Sequence, residues 1–229
     1  MKYQIVKLKG MNDPLFGEVA NVRMKVFVEE DQYPSGTIVS NLDRDATHFV
    51  ALDDGRVIGS VSANIKTSEQ GRLPIESYMG PLQTGGKVGE ICKLAVLNDW
   101  RSKPVALYLM VAAYDHLIES GVDGVVLWSM SKKAKNIRLY SKFGFKRYGD
   151  DFICCNSEPA IPFFLDVAQD SVYDGEKSAN HRRFTDSYKK YLTPELHQQS
   201  QADSGQGAQR ERSRDVLSQT QDNAEVQNS

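Results

Sequence analysis

A mixed α/β fold, one sheet holding antiparallel and parallel pairs with helices on both faces, follows from three features of the sequence. Two β-rich runs at 47–52 and 56–65 flank Asp53-Asp54-Gly55, a tight-turn signal because glycine tolerates positive φ, so the runs pair antiparallel. A buried strand over 88–96, a helix over 105–119 and a strand over 125–130 follow in order, which requires a crossover and a parallel pair. A short helix over 134–143 stops at Gly144, and 145–148 with 151–155 then read as a closing antiparallel pair.

The remaining elements frame this core. Residues 3–8 alternate as a strand, and Asp13-Pro14 opens a helix in which Leu15, Phe16, Val19, Val22, Val26 and Phe27 recur near helical spacing. Residues 66–87 form a loop rich in Gly, Pro and Ser. Phe184, Tyr188, Tyr191 and Leu192 mark an amphipathic helix over 178–196, and from 198 the composition is too polar to offset the entropy of ordering. The expected organisation is a folded domain over 1–170, a helical extension over 171–197 and a disordered tail over 198–229.

Composition bounds the function. With 229 residues and 40% hydrophobic content the chain can bury one good core, and a formal charge of -2 gives no general affinity for nucleic acid. No apolar run approaches the roughly 20 residues of a membrane span, and the N-terminus leads into a strand pattern, so a soluble cytoplasmic protein is expected. Cys92, Cys154 and Cys155 are an odd number and read as reduced thiols. Oligomeric state is not legible.

Chemistry concentrates in three stretches: Gly89-Glu90-Ile91-Cys92-Lys93-Leu94-Ala95-Val96, Arg101-Ser102-Lys103-Pro104-Val105-Ala106, and residues 136–145 with Asn136, Leu139, Tyr140, Phe143, Gly144 and Phe145. Glu90 is a carboxylate in an apolar strand, where burial raises its pKa toward that of a useful base; an ion pair with Arg23 or Lys93 is the alternative. Strand alternation puts Glu90 and Cys92 on one face and Lys93 on the other unless a bulge intervenes. Arg23 and Phe27, four apart, share a helical face. Asp43 and Asp45 are too few for calcium, and His48 and His116 lack the spacing of a metal site or triad, so no metal is expected. Cys92 reads as a small buried hydrophobe, and Tyr140 with Phe143 is open to a plain packing role.

This order of parts resembles the GNAT acyltransferase superfamily over about residues 20–165. Glu90-x-x-Lys93 together with Arg23, Phe27, Glu30, Asp43 and Asp45 resembles most the branch of acyl-homoserine-lactone synthases and N-acyl amino acid synthases. The resemblance implies a mostly antiparallel sheet whose central parallel pair splays, with the pantetheine arm of an acyl donor in the gap. The edge of Leu94, Ala95, Val96 and Leu97 would supply an N–H to the thioester oxyanion. Arg101, Ser102, Lys103, Val105 and Ala106 would meet the donor's phosphate, and Pro104, standing where the family has glycine, favours acyl carrier protein as donor. Asn136 would touch pantetheine and Tyr140 would protonate the leaving thiolate. Arg23, Phe27, Glu30, Asp43, Asp45 and Lys93 would form a lid and bind the acceptor, with a bulge at Lys93 and the branch's second arginine replaced around Ser62.

The implied function is N-acyl transfer, of a fatty acyl group by preference, from acyl carrier protein or acyl-coenzyme A to the amine of an amino acid or similar small molecule. The donor is a co-substrate, and no tightly bound cofactor is expected. A short-chain N-acetyltransferase using acetyl-coenzyme A and a non-catalytic thioester-binding regulator are the alternatives.

Overall fold

Alternating side chains of the N-terminal strands feed two cores on opposite faces of one sheet. The computed structural model describes residues 3–66, 72–84, 86–154 and 157–170; the helix expected over 178–196, the tail from 198 and Cys155 lie outside the described residues. In β1 (Gln4–Lys9), Ile5 joins the core under the long helix whereas Val6 and Leu8 join the core under the first helix. In β2 (Thr47–Asp53), Phe49 and Ala51 go one way and Val50 the other. That period of two buries β2 on both faces, whereas β1, at the sheet edge, keeps Gln4, Lys7 and Lys9 exposed.

The first helix, α1 (Phe16–Arg23), runs on into a π-helical segment over Met24–Glu30. The pitch change separates Arg23 and Phe27, which an unbroken α-helix would put on one face: Arg23 is fully buried against the sheet, and Phe27 stacks on Tyr33 with ring centroids 5.8 Å apart. The hairpin of β2 and β3 (Arg56–Lys66) turns at Asp54 and Gly55, both at positive φ, as the Asp-Asp-Gly signal requires.

Among the described residues the sheet has eight strands in the order β1-β2-β3-β4-β5-β8-β6, with β7 also on β8. The parallel pair is β4 (Val88–Val96) with β5 (Gly124–Met130), joined by α3 (Val105–Glu119). All other pairings are antiparallel. Leu109, Ala113 and Leu117 of α3 are fully buried, so this helix forms the centre of one core. Next, α4 (Ala134–Lys142) ends as the glycine predicts: Gly144 adopts φ +94 and donates to Ser141, while Phe145 N–H donates to Tyr140 carbonyl, closing both orphan carbonyls.

Two expectations fail here. The runs near 146 and 152, β6 (Lys146–Arg147) and β7 (Phe152–Ile153), do not pair with each other; both pair with β8 (Pro159–Asp166), which enters the sheet beside β5. Pro159 and Pro162 disguise β8 in the sequence, yet Pro159 is its first residue and the Pro162 carbonyl accepts from Tyr148 N–H at 3.0 Å. The expected loop over 66–87 also contains a helical turn, α2 (Glu76–Met79). Val167–Asp170 closes the described chain as α5. No helix among the described residues is long and apolar enough to cross a membrane.

Candidate active site

β4 and β5 pair at only three positions, Val88 with Gly124, Gly89 with Val125 and Glu90 with Val126, and then part. A cavity of about 270 Å³ occupies the gap beyond. Ile91, Cys92, Lys93 and Leu94 of β4 form one wall and Trp128, Ser129 and Met130 of β5 the other. Met110 of α3 lies at the floor, Asn136 and Tyr140 of α4 at one side, and Phe27, Tyr33, Thr37, Ser40, Pro74 and Tyr78 complete the enclosure.

The β4 wall is shaped by a bulge. Ser60 faces Ala95 and Ser62 faces Cys92, so Lys93 and Leu94 together oppose Val61. Lys93 takes φ +54, a left-handed conformation strained for a residue with a Cβ. The bulge cancels strict alternation: Cys92 and Lys93 both reach the cavity.

Behind that wall is a buried charge network. Arg23 Nη1 donates to Asp43 Oδ1 at 2.9 Å and to Ile38 carbonyl at 2.9 Å, and Nη2 donates to Ser62 Oγ at 2.6 Å. Lys93 Nζ donates to Asp43 Oδ2 and to Ser40 Oγ. Asp43 also accepts from Ser40 N–H at 2.7 Å, closing a capping box that folds the 40–44 turn. Burial pushes the Asp43 carboxyl up, but Arg23 and Lys93 together hold it below the ordinary range. His48 Nε2 lies 3.1 Å from Asp43 carbonyl and Nδ1 2.8 Å from Ser62 Oγ. Burial and the Arg23 charge lower its pKa to about 4, so the ring is neutral, Nε2 carries the proton and Nδ1 accepts.

His48 and Ser62 are the members that sequence reasoning missed, because a β-strand histidine and serine carry no spacing signal until the sheet register places them opposite each other. Of the predicted acceptor residues, Phe27 and Lys93 line the cavity, while Arg23 and Asp43 stand behind it and fix Lys93 and the 38–43 loop. Glu30 does not face the cavity; its carboxylate pairs with Arg101 at the surface. Asp45 is also remote, with an exposed side chain and a carbonyl that accepts from Lys9.

Glu90 is completely buried and is not part of the cavity lining. Its Oε2 accepts from Ile75 N–H at 2.9 Å and Oε1 has no partner among the described residues. Burial foremost, with the neighbouring Glu76 charge, raises its pKa to about 8. The alternative ion pair with Arg23 or Lys93 is not formed, since both cations turn to Asp43. Glu76 in turn accepts from Leu73 and Leu82 N–H groups and from Lys66 Nζ. Two buried carboxyls thus tie the 73–82 segment, hence Pro74 and Tyr78 of the cavity wall, to the sheet.

Tyr140 is 5% exposed and borders the cavity, and burial pushes its phenol above the ordinary range, so it stays protonated. Asn136 lies one turn earlier on the same wall. Cys92 is half-buried in the wall rather than fully buried, with a thiol pushed up by burial and accepting from Asn64 at 3.3 Å; it is a poor nucleophile.

Leu94 lines the cavity, whereas Ala95 and Val96 are paired in the β3 ladder and Leu97 N–H donates to Ile58 carbonyl at 3.0 Å. That bond removes Leu97 from the oxyanion donors. Arg101 Nε donates to Val96 carbonyl at 2.9 Å and its terminal nitrogen to Glu30, so its guanidinium pins the turn to β4. Ser102 is exposed, the Lys103 ammonium sits 3.8 Å from the Trp100 ring centroid, and Val105 and Ala106 open α3. Lys133 and Asp31 form an ion pair at the cavity that no sequence motif announces. Among the described residues no three His, Cys, Asp or Glu side chains gather to hold a metal ion.

Solved structures share this architecture. FeeM, an N-acyl amino acid synthase from uncultured soil microbes, is 18% identical with a TM-score of 0.56, covering 76% of this chain and 97% of its own. BjaI, a coenzyme A-dependent acyl-homoserine lactone synthase solved with S-adenosylmethionine and isopentyl-coenzyme A, is 17% identical with a TM-score of 0.59, covering 83% and 92%. An acyl-coenzyme A N-acyltransferase from Pseudomonas aeruginosa is 16% identical with a TM-score of 0.55, covering 71% and 98%. At these identities the likeness is one of fold. No curated protein matches the chain. A model of the acetyltransferase (GNAT) family matches residues 16–145, more than half of the sequence, and the chain therefore belongs to that family of acyltransferases.

Proposed function

We propose that this protein is an N-acyltransferase that moves an acyl group from acyl-coenzyme A or acyl carrier protein to the amine of an amino acid or similar small molecule. The observation that carries the reading is the gap that opens after Glu90 and Val126, with Tyr140 at its side and a bulge in its wall. A donor arm lying along β4 brings its thioester carbonyl to the bulge, where the Leu94 N–H stabilises the oxyanion. Tyr140 then gives its proton to the leaving thiolate. Glu90, whose pKa near 8 suits the work and whose Oε1 has no partner among the described residues, takes the amine proton through a water. FeeM and BjaI support the amino acid type of acceptor, and the choice of an acidic carrier as donor rests on the charge of Lys103, since Arg101 is already paired with Glu30. The small volume favours a second reading, transfer of a short acyl group from acetyl-coenzyme A.

Product analysis by mass spectrometry with acetyl-coenzyme A, decanoyl-coenzyme A and decanoyl carrier protein, each offered a mixture of amino acids, separates the readings. Long-chain N-acyl amino acid is expected. Glu90→Gln should lower turnover by about 10²-fold and Tyr140→Phe by less. Product from the acetyl donor alone supports the second reading, and no amine-dependent product from any donor refutes both.

A further inference from the structure

From the charges around the cavity we infer that the acceptor carries a carboxylate beside its amine and that Lys93 and Lys133 bind it from opposite walls of the gap. The inference rests on the proposed acyltransferase reading and names the side chains that would hold the acceptor's carboxylate. Lys93 projects from the β4 bulge and Lys133 from the turn that follows β5, and both line the same cavity.

Charge balance supplies the first argument. Arg23 and Lys93 share the single carboxylate of Asp43, so this buried group is left with one positive charge. His48, held neutral, adds no charge to it, and Glu90 is mostly protonated at neutral pH. Arg23 is sealed from solvent, whereas the Lys93 side chain keeps 15% of its surface open toward the cavity, so an anion that completes the balance meets Lys93. A buried positive charge without a full partner is costly, and a ligand carboxylate removes that penalty.

Lys133 supplies the second. It is 29% exposed and sits beside Asp31, which follows the π-helical segment, so this pair ties the end of that segment to the start of α4. A carboxylate entering the cavity competes with Asp31 for the ammonium. The other lining groups are uncharged: hydroxyls, the Cys92 thiol, the Asn136 amide, and apolar side chains and rings such as Phe27, Met110 and Trp128, which suit the apolar remainder of an amino acid. The turn at 101–104, which the resemblance assigns to the donor's phosphate, is not part of the cavity lining, whereas both lysines are.

Kinetics with phenylalanine against 2-phenylethylamine, and leucine against isopentylamine, compare acceptors that differ by the carboxylate alone. The wild-type protein should favour each amino acid by at least about 10-fold in kcat/KM, and Lys133→Gln should reduce that ratio by about 10-fold, as should Lys93→Met. Equal use of acid and amine by the wild type, or a ratio unmoved by both substitutions, overturns the inference while leaving acyl transfer intact. Calorimetric titration of the same four compounds into protein saturated with coenzyme A reads the subsite without turnover. Carboxylate-dependent binding lost in Lys133→Gln supports the subsite even if no product forms, a result that would count against the proposed function alone; binding of acids and amines alike overturns the subsite.

Discussion

Removing the Asp43 carboxylate leaves the buried Arg23 and the largely buried Lys93 without the carboxylate they share. Asp43→Ala should therefore destabilise the protein by about 3–5 kcal/mol, whereas Lys93→Met, which leaves the Arg23 pair intact, should cost about 1 kcal/mol. Urea denaturation of the two variants checks the ranking, and equal losses would show that the network is not centred on Asp43. The depressed Asp43 pKa contributes stability that is present above its unfolded value of 3.8 and is lost as pH falls through the lower folded value. Glu90 acts in the other direction. Its folded pKa of about 8 exceeds the unfolded 4.5, so the folded state holds a proton that the unfolded state releases, and stability falls as pH rises across that window. His48 and His116, both lowered to about 4, make stability rise as pH goes from 4 to 6.5, so the Glu90 contribution is read as the difference from a variant. Glu90→Gln keeps an acceptor for Ile75 N–H and cannot ionise; its stability relative to wild type should rise from pH 5 to pH 8. A constant difference would place ionised Glu90 in the native state.

The bulge in β4 makes its own prediction at the scale of the element. Lys93 occupies a left-handed backbone conformation that glycine adopts without strain, so Lys93→Gly should be more stable than Lys93→Ala by about 1 kcal/mol, the reverse of the order in a regular strand. Thermal melts of the pair decide it, and the ordinary order, alanine above glycine, would mean that the bulge relaxes. The elements differ in how plainly the sequence announces them. Asp54-Gly55, the order of strand, helix and strand through 130, and Gly144 are local signals whose physics does not depend on partners, and each element they mark is found. β8 is hidden because its prolines sit where a strand can tolerate them, and α2 because it is held by tertiary bonds, Glu76 accepting from Leu73 N–H and Glu90 of β4 from Ile75 N–H, rather than by helical periodicity. The site is legible in the same measure. Glu90, Lys93, Asn136 and Tyr140 stand out by type and spacing, whereas His48, Ser62, Asp31 and Lys133 become neighbours only through sheet register or through the chain's return across the cavity.

At the scale of the molecule, one topological fact organises the rest: a parallel pair of strands, held together at three positions and released beyond them, inside a sheet that is otherwise antiparallel. Both faces of that sheet are covered by packed cores, so the strands beyond the split are braced from outside while their facing edges carry backbone groups without a strand partner across the gap. Unpaired N–H and C=O groups at an internal sheet edge call for a chain-like ligand that can hydrogen-bond as a strand does. An acyl-pantetheine arm, with two amides in an extended chain, has that form. The direct measurement is amide hydrogen exchange of the full chain with and without a non-reactive thioether analogue of decanoyl-coenzyme A. Slowed exchange at residues 91–94 and 127–130 is the predicted result. Unchanged exchange along both facing edges in the presence of saturating analogue would contradict the account.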